Sequence, residues 1–220
     1  MKYVYQYLPF RHAPSLKKDG VHFSKCSEFV DLMEFRFGYL GFQGCDIREL
    51  SRKLPSVFSN EHINQLVDSS YVSCWTEDSQ ERYSMWELYG RRQKAIRIRV
   101  DRDGLICRFS RLGFPGVYGS ITYQFTHSRI RPEFLGKTGS LNADQDEYYH
   151  LFFHKHGFYC YEDEFRLVCF TSPMQLIVED LVSEVRMSPF AQWTESERID
   201  LQTLFPGKVE DSALEVSYKT

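Results

Sequence analysis

Aromatic and aliphatic side chains alternate through Tyr3-Val4-Tyr5-Gln6-Tyr7-Leu8, the period of a β-strand with two differently surrounded faces. A second strand is predicted over Gly20 to Ser24, after a connection containing Pro, Lys and Gly. From Ser27 to Phe37 the apolar residues crowd at a density that suits a helix packed on two sides, with Ser27 as its cap and Gly38, Gly41 and Gly44 beyond it. Short helices are predicted over Asp46 to Leu54 and Asn60 to Val67, parted by Pro55, which makes a helical insert near 46–68. Val72 to Thr76 reads as a strand, Glu77 to Arg82 as a polar loop, and Ser84 to Tyr89 as a short helix closed by Gly90.

Ile96, Ile98 and Val100 alternate with Arg97 and Arg99, and Leu105 to Phe109 is the predicted hairpin partner across Asp103-Gly104. Further strands are predicted over Val117 to Phe125, Tyr148 to Phe153, Tyr161 to Phe170 and Leu176 to Val185, with 131–147 as a mobile loop. Thr194-Glu195-Ser196-Glu197 has the spacing of a capping box and opens a last helix that turns Ile199, Leu201, Leu204 and Phe205 inward. The pattern describes an α+β protein, one domain over 1–206 followed by a polar tail over 207–220.

Composition changes this picture little. In 220 residues, 42% hydrophobic and 26% charged content is ordinary for a globular chain, while 18 Phe, 14 Tyr and 3 Trp supply an aromatic share of 16%, enough for both core and stacking surfaces. A net charge of −3 argues against a globally basic nucleic-acid binder. The exception is 91–111, where Arg91, Arg92, Lys94, Arg97, Arg99, Arg102, Arg108 and Arg111 face only Asp101 and Asp103, as a phosphate-binding strip or as a solvated strand pair. Cys26, Cys45, Cys74, Cys107, Cys160 and Cys169 stand singly among apolar residues and read as reduced core thiols. Neither a signal peptide nor a membrane span is evident, and a cytoplasmic location is the economical expectation.

The chemistry concentrates in Tyr161-Glu162-Asp163-Glu164-Phe165-Arg166. On a continuous strand Glu162, Glu164 and Arg166 share one face. The plain reading is an edge strand with a solvated charged face. The functional one is a fixed carboxylate that binds a sugar hydroxyl or stabilises an oxocarbenium ion, and a hydrolase using both carboxylates is a further alternative. Trp86 and Tyr89 lie three apart on one helical face, for core packing or for stacking a planar heterocycle, with Trp75 on the strand before. His150, His154 and His156 lack a matched Cys or acidic cluster, so no metal is expected, and Lys155 among them suits a pairing with Glu162 or a phosphate. No nucleophile elbow or phosphate-binding P-loop is present.

Tyr5-Gln6-Tyr7, Val72-Ser73-Cys74-Trp75-Thr76, Met85-Trp86-Glu87-Leu88-Tyr89, Lys155 and the Tyr161 to Arg166 run, in this order, resemble the bacterial domain-of-unknown-function 2971 family across most of 3–190. The layout of that family is in turn similar to the ADP-ribosyltransferase architecture. The resemblance implies a split, twisted, mixed or antiparallel sheet around an NAD-binding cleft, with NAD as substrate and no metal. It implies Glu164 as the catalytic carboxylate, Glu162 as the upstream acid, and Tyr89 as the ring against nicotinamide. Gln6, Tyr7, Arg11, Thr76, Trp86, Lys155 and Arg166 become contacts to the dinucleotide. Where transferases of this kind carry His or Arg on the first strand, this chain has Gln6, which hydrogen-bonds but brings no charge. The implied activity is transfer of ADP-ribose to a protein or nucleic acid, as in a bacterial toxin or phage-defence effector with an antitoxin or chaperone partner. The alternative is a non-catalytic module of the same fold that binds a nucleotide, nucleic acid or protein.

Overall fold

The structure, a computed structural model, describes residues 2–29, 60–90, 94–124, 134–139, 150–172 and 175–214. It is an α+β fold whose chain gathers into two compact units. The first contains Met1–His22, Trp75–Arg108 and Gln175–Thr220, and the second Phe23–Cys74 and Phe109–Met174.

In the first unit, β1 (Tyr3–Pro9) pairs antiparallel with β4 (Ala95–Asp101) along its whole length, Tyr5 opposite Arg99 and Tyr7 opposite Arg97. β10 (Val182–Met187) flanks β4 on the other side, antiparallel, and β11 (Val209–Asp211) adds parallel to β10. Val4, Ile96, Ile98, Val100, Val182 and Val185 form the buried apolar face, and each such side chain withdrawn from water contributes about 1.5–3 kcal/mol. Helices α1 (Ala13–Asp19) and α5 (Glu195–Leu204) pack on each other, with Leu16 and Leu201 buried. The capping box of α5 forms as its sequence predicts: the Thr194 hydroxyl accepts from the Glu197 amide, and the Glu197 carboxylate accepts from the Thr194 amide.

Gly20 ends α1 at φ 83°, and a Cβ there would lie 2.3 Å from the Leu176 carbonyl oxygen. Gly20→Ala is therefore expected to cost at least about 1–3 kcal/mol, measured by chemical denaturation, from backbone strain before the clash is counted.

In the second unit, β5 (Gly116–Ser120) lies between β7 (Phe134–Thr138) and β9 (Glu164–Cys169), all antiparallel. β2 (Ser24–Lys25) pairs with β3 (Tyr71–Thr76), of which 71–74 belong to this unit, and β6 (Thr122–Gln124) runs parallel to β8 (His154–His156). α2 (Asn60–Ser69) leads into β3. Val72, Val117, Ile121, Phe152, Phe153 and Val168 make its core, joined by Cys26 and Val67.

Several predicted elements take another form. Leu105 to Phe109 is not a hairpin strand but part of α4 (Arg102–Arg111), because Asp101 caps it: its carboxylate accepts from the Gly104 amide, turning the chain directly from strand to helix. β7 falls within the predicted mobile loop, and β11 within the predicted polar tail. His150–Phe153 is a single 3-10 turn instead of a strand, and the predicted strand at 176–185 begins only at Val182. The predicted helices over Ser27 to Phe37 and Asp46 to Leu54 lie largely or wholly outside the described residues; Ser27 itself stands in a 3-10 turn over Cys26–Glu28.

The arginines of 91–111 do not form an open strip. Arg97 is buried and donates to the Asp78 and Ser79 carbonyls. Arg99 pairs with Glu184, Arg102 with Glu77, Arg108 with Asp180 and Lys94 with Glu197. Arg91 and Arg92 lie outside the described residues. Three of the eight cations of the predicted strip, Arg102, Arg108 and Arg111, sit on α4, whose rise turns them to different sides.

Candidate functional site: a buried carboxylate cluster

The second unit brings Lys155, Glu162, Glu164 and Arg166 together. β8 positions Lys155, and its register against β6 sets Lys155 opposite Tyr123. The chain then makes a 3-10 turn over Gly157–Glu162 that ends at Asp163, which has φ 42°, a left-handed conformation that Asp tolerates better than most residues. β9 starts at the next residue, so Glu164 is its first position and Arg166 points to the same face. Glu162 is thus on the turn and not on the strand, because the left-handed residue resets the alternation.

β9 is no solvated edge. All six of its residues are buried, and the strand order places it between β5 and β3. Its first residue is held at both backbone groups: the Glu164 amide donates to the Tyr123 hydroxyl at 2.8 Å, and its carbonyl accepts from the Ile121 amide at 2.8 Å.

Within the cluster, Arg166 Nε donates to Glu164 Oε1 at 2.6 Å and Nη2 to Oε2 at 2.9 Å, a two-pronged pairing, while Nη1 donates to the Phe152 carbonyl at 2.9 Å. Lys155 Nζ lies 2.7 Å from Glu162 Oε2 and 3.3 Å from Glu164 Oε2. Glu162 and Glu164 are each 4% exposed and Arg166 is fully enclosed, so these charges are weakly screened. Two carboxylates meet two cations.

Burial alone would raise the Glu164 carboxyl. The Arg166 and Lys155 charges, with hydrogen bonds from Arg166 and the Cys74 thiol, outweigh it and hold the group at about 2, below its ordinary 4.5. Burial and then the Glu164 charge push the Cys74 thiol well up, so it stands as a neutral donor. Burial and then the Glu164 charge likewise push the Tyr123 phenol far above its ordinary value.

A carboxylate lowered on folding stabilises the fold above its unfolded value and loses that contribution as pH falls through the folded one. The stability difference between wild type and Glu164→Gln is therefore expected to be full above about pH 5 and to shrink on acidification toward the folded value of about 2. Urea midpoints across that range check it; a difference that does not change with pH contradicts it.

The remaining site residues of the sequence belong to the first unit. Tyr7 and Trp86 meet edge to face, ring centroids 4.8 Å apart at 88°, but Trp86 is 1% exposed and forms part of the core, not a stacking platform. Tyr89, one turn on in α3 (Tyr83–Gly90), is 36% exposed and keeps a ring accessible. Burial pushes the Tyr7 phenol up to about 12, against the opposing Arg97 charge. The Thr76 hydroxyl is buried and accepts from the Asp78 amide, which starts the 77–82 loop. Gln6 faces away from Tyr7 and Trp86, on the other side of β1. Arg11 is exposed, with Nε 3.3 Å from His12 Nε2.

No protein-family model matches the chain, and no curated protein matches it.

Two functional-looking features have no counterpart in the sequence reading. Arg97 stacks 3.9 Å over the Tyr5 ring and Arg99 4.8 Å over Tyr3, diagonal cross-strand cation–π pairs between β1 and β4. Tyrosines at 3, 5 and 7 against arginines at 97 and 99 carried that signal, though only the register reveals it. Glu81 in the 77–82 loop accepts from Ser212 Oγ, the Ala213 amide and Arg186 Nη1 at 2.7–2.8 Å, fastening the chain end to the loop. Burial would raise its carboxyl, but these bonds and the Arg186 charge hold it below its ordinary value. Among the described residues no group of three or more His, Cys, Asp or Glu side chains is arranged to hold a metal, and no helix is long and apolar enough to cross a membrane.

Proposed function

We propose that the protein is an ADP-ribosyltransferase-like enzyme that moves ADP-ribose from NAD to a macromolecular acceptor, with Glu164 as its catalytic carboxylate. One observation carries this reading: an ionised carboxylate at the first position of a fully buried strand, directly after a turn that supplies a second carboxylate. The order of the motifs, which resembles that of the domain-of-unknown-function 2971 family with its transferase-like layout, supports it.

The chemistry asks for such a group. The bond from ribose C1′ to the nicotinamide nitrogen breaks, its electron pair leaves with nicotinamide, and positive charge builds on the ribose. A negative charge fixed before the reaction stabilises that state without reorganising. The acceptor then forms the new bond at C1′ and gives up its proton. A ribose hydroxyl needs an acceptor position on Glu164, and Lys155 supplies it by retreating onto Glu162, its nearer partner at 2.7 Å against 3.3 Å. In this reading Glu162 is a positioning residue for Lys155. Within the first unit, Arg11 and Tyr89 are exposed and Gln6 is half-buried, whereas Tyr7, Thr76 and Trp86 are buried.

A second reading, a non-catalytic binding module, is favoured by the complete neutralisation of both carboxylates by Lys155 and Arg166. Mass spectrometry of a cell lysate incubated with isotope-labelled NAD and the protein separates the two. The enzyme reading expects ADP-ribose on an acceptor with wild type and none with a folded Glu164→Ala variant. Equal labelling with both, or none with either, contradicts it.

A further inference from the structure

β11 ends the strand order of the first unit, and its backbone shows which groups face outward. The Lys208 carbonyl accepts from the Val185 amide, so Lys208 and Glu210 direct their backbone groups toward β10. By the alternation of a strand, the Val209 and Asp211 amides and carbonyls point to the open side, where no described strand pairs with them. Beside this edge runs a groove of about 520 Å³ between β11 and α5. Met187 and Val209 floor it, and Ile199, 56% exposed, presents an aliphatic wall. Glu195, Glu210 and Asp211 put three carboxylates on the lining against one guanidinium there, that of Arg198, which already pairs with Asp211 at 3.0 Å; Glu210 also lies 3.7 Å from Arg186, a guanidinium it shares with Glu81 and Glu184. The chain itself turns away after β11, since Ser212 and Ala213 are fastened to Glu81.

We propose that this edge is a docking site for an extended, basic peptide segment of a partner protein, which adds a strand alongside β11. Its backbone pairs with Val209 and Asp211, an aliphatic side chain enters the groove against Ile199 and Met187, and lysine or arginine side chains meet Glu195 and Glu210. Main-chain pairing supplies affinity in this mode, and alternate side chains supply selectivity. A nucleic acid is disfavoured here because its phosphates would face three carboxylates. The site is independent of the Glu164 chemistry.

The test uses the full chain and two short capped peptides, one of alternating lysine and valine and one of alternating glutamate and valine, followed by amide NMR shifts. The lysine peptide is expected to shift the amides of 208–211 and of α5 saturably, and the glutamate peptide to leave them unmoved. Glu210→Lys is expected to weaken binding about tenfold, and Val209→Pro, which removes an outward amide and no bond to β10, to abolish the shifts. Because Val209→Pro alters the backbone, its melting temperature is compared with wild type, and Glu210→Lys decides if the proline variant unfolds. Shifts caused equally by both peptides, shifts confined to other surfaces, no shifts at all, or undiminished binding by Glu210→Lys would each overturn the proposal.

Discussion

Arg166→Met is expected to destabilise the protein by about 3–5 kcal/mol, the cost of leaving a buried carboxylate without its main partner. The guanidinium is fully enclosed, makes two bonds to Glu164, and satisfies the Phe152 carbonyl, so Met replaces its volume but none of these. With Lys155 and Arg166 both on the cluster, Glu164 is 4% exposed, so water compensates little for the lost guanidinium. Urea denaturation of the second unit, followed by hydrogen exchange at β9 amides, measures the loss. The double variant Arg166→Met, Glu164→Gln is expected to recover part of it, because the orphaned charge is then gone. A single-variant loss below about 1 kcal/mol would show that the pair is not what holds β9 in place.

Glu164→Gln is expected to lower NAD cleavage by about a hundredfold or more, since removing one fixed electrostatic group from a water-poor site commonly costs that much. Gln keeps the volume and can accept one hydrogen bond, so the substitution isolates charge from shape. Glu162→Gln is expected to have a smaller effect on cleavage, exerted through Lys155, which then loses its nearer partner and binds Glu164 more closely.

Strands announced themselves where the two faces differ. The alternation in 3–8 and 96–100 identified β1 and β4, and the capping box at Thr194 identified α5, because those signals are local. The Asp101 cap was equally local, yet Asp103-Gly104 offered a competing turn, and only the Asp101–Gly104 hydrogen bond shows that helix wins. β7 and β11 were missed since Phe134–Thr138 carries little alternation and Val209–Asp211 is too short to show any; pairing with β5 and β10 makes them strands.

The candidate site was legible in part. Residue types and spacing pointed to Glu164, Arg166 and Lys155, and the pairing of Lys155 with Glu162 is present at 2.7 Å. Burial was not legible, because polar residues at a strand start read as solvent-facing unless their counter-charges are known. Those counter-charges come from residue 155, on another strand, and from residue 166, two positions on. Trp86 illustrates the converse: three residues from Tyr89 on one helix, it sits in the core while Tyr89 stays accessible, since positions three apart differ by a sixth of a turn.

Nicotinamide release from NAD by the purified protein, wild type against Glu164→Gln, with both shown by melting to be folded, tests the central claim most directly. Release by wild type and a loss of about a hundredfold or more in the variant is the expected result. Equal rates in the two folded proteins, or no release by either, would contradict Glu164 as a catalytic carboxylate and leave the cluster as a purely structural ion network.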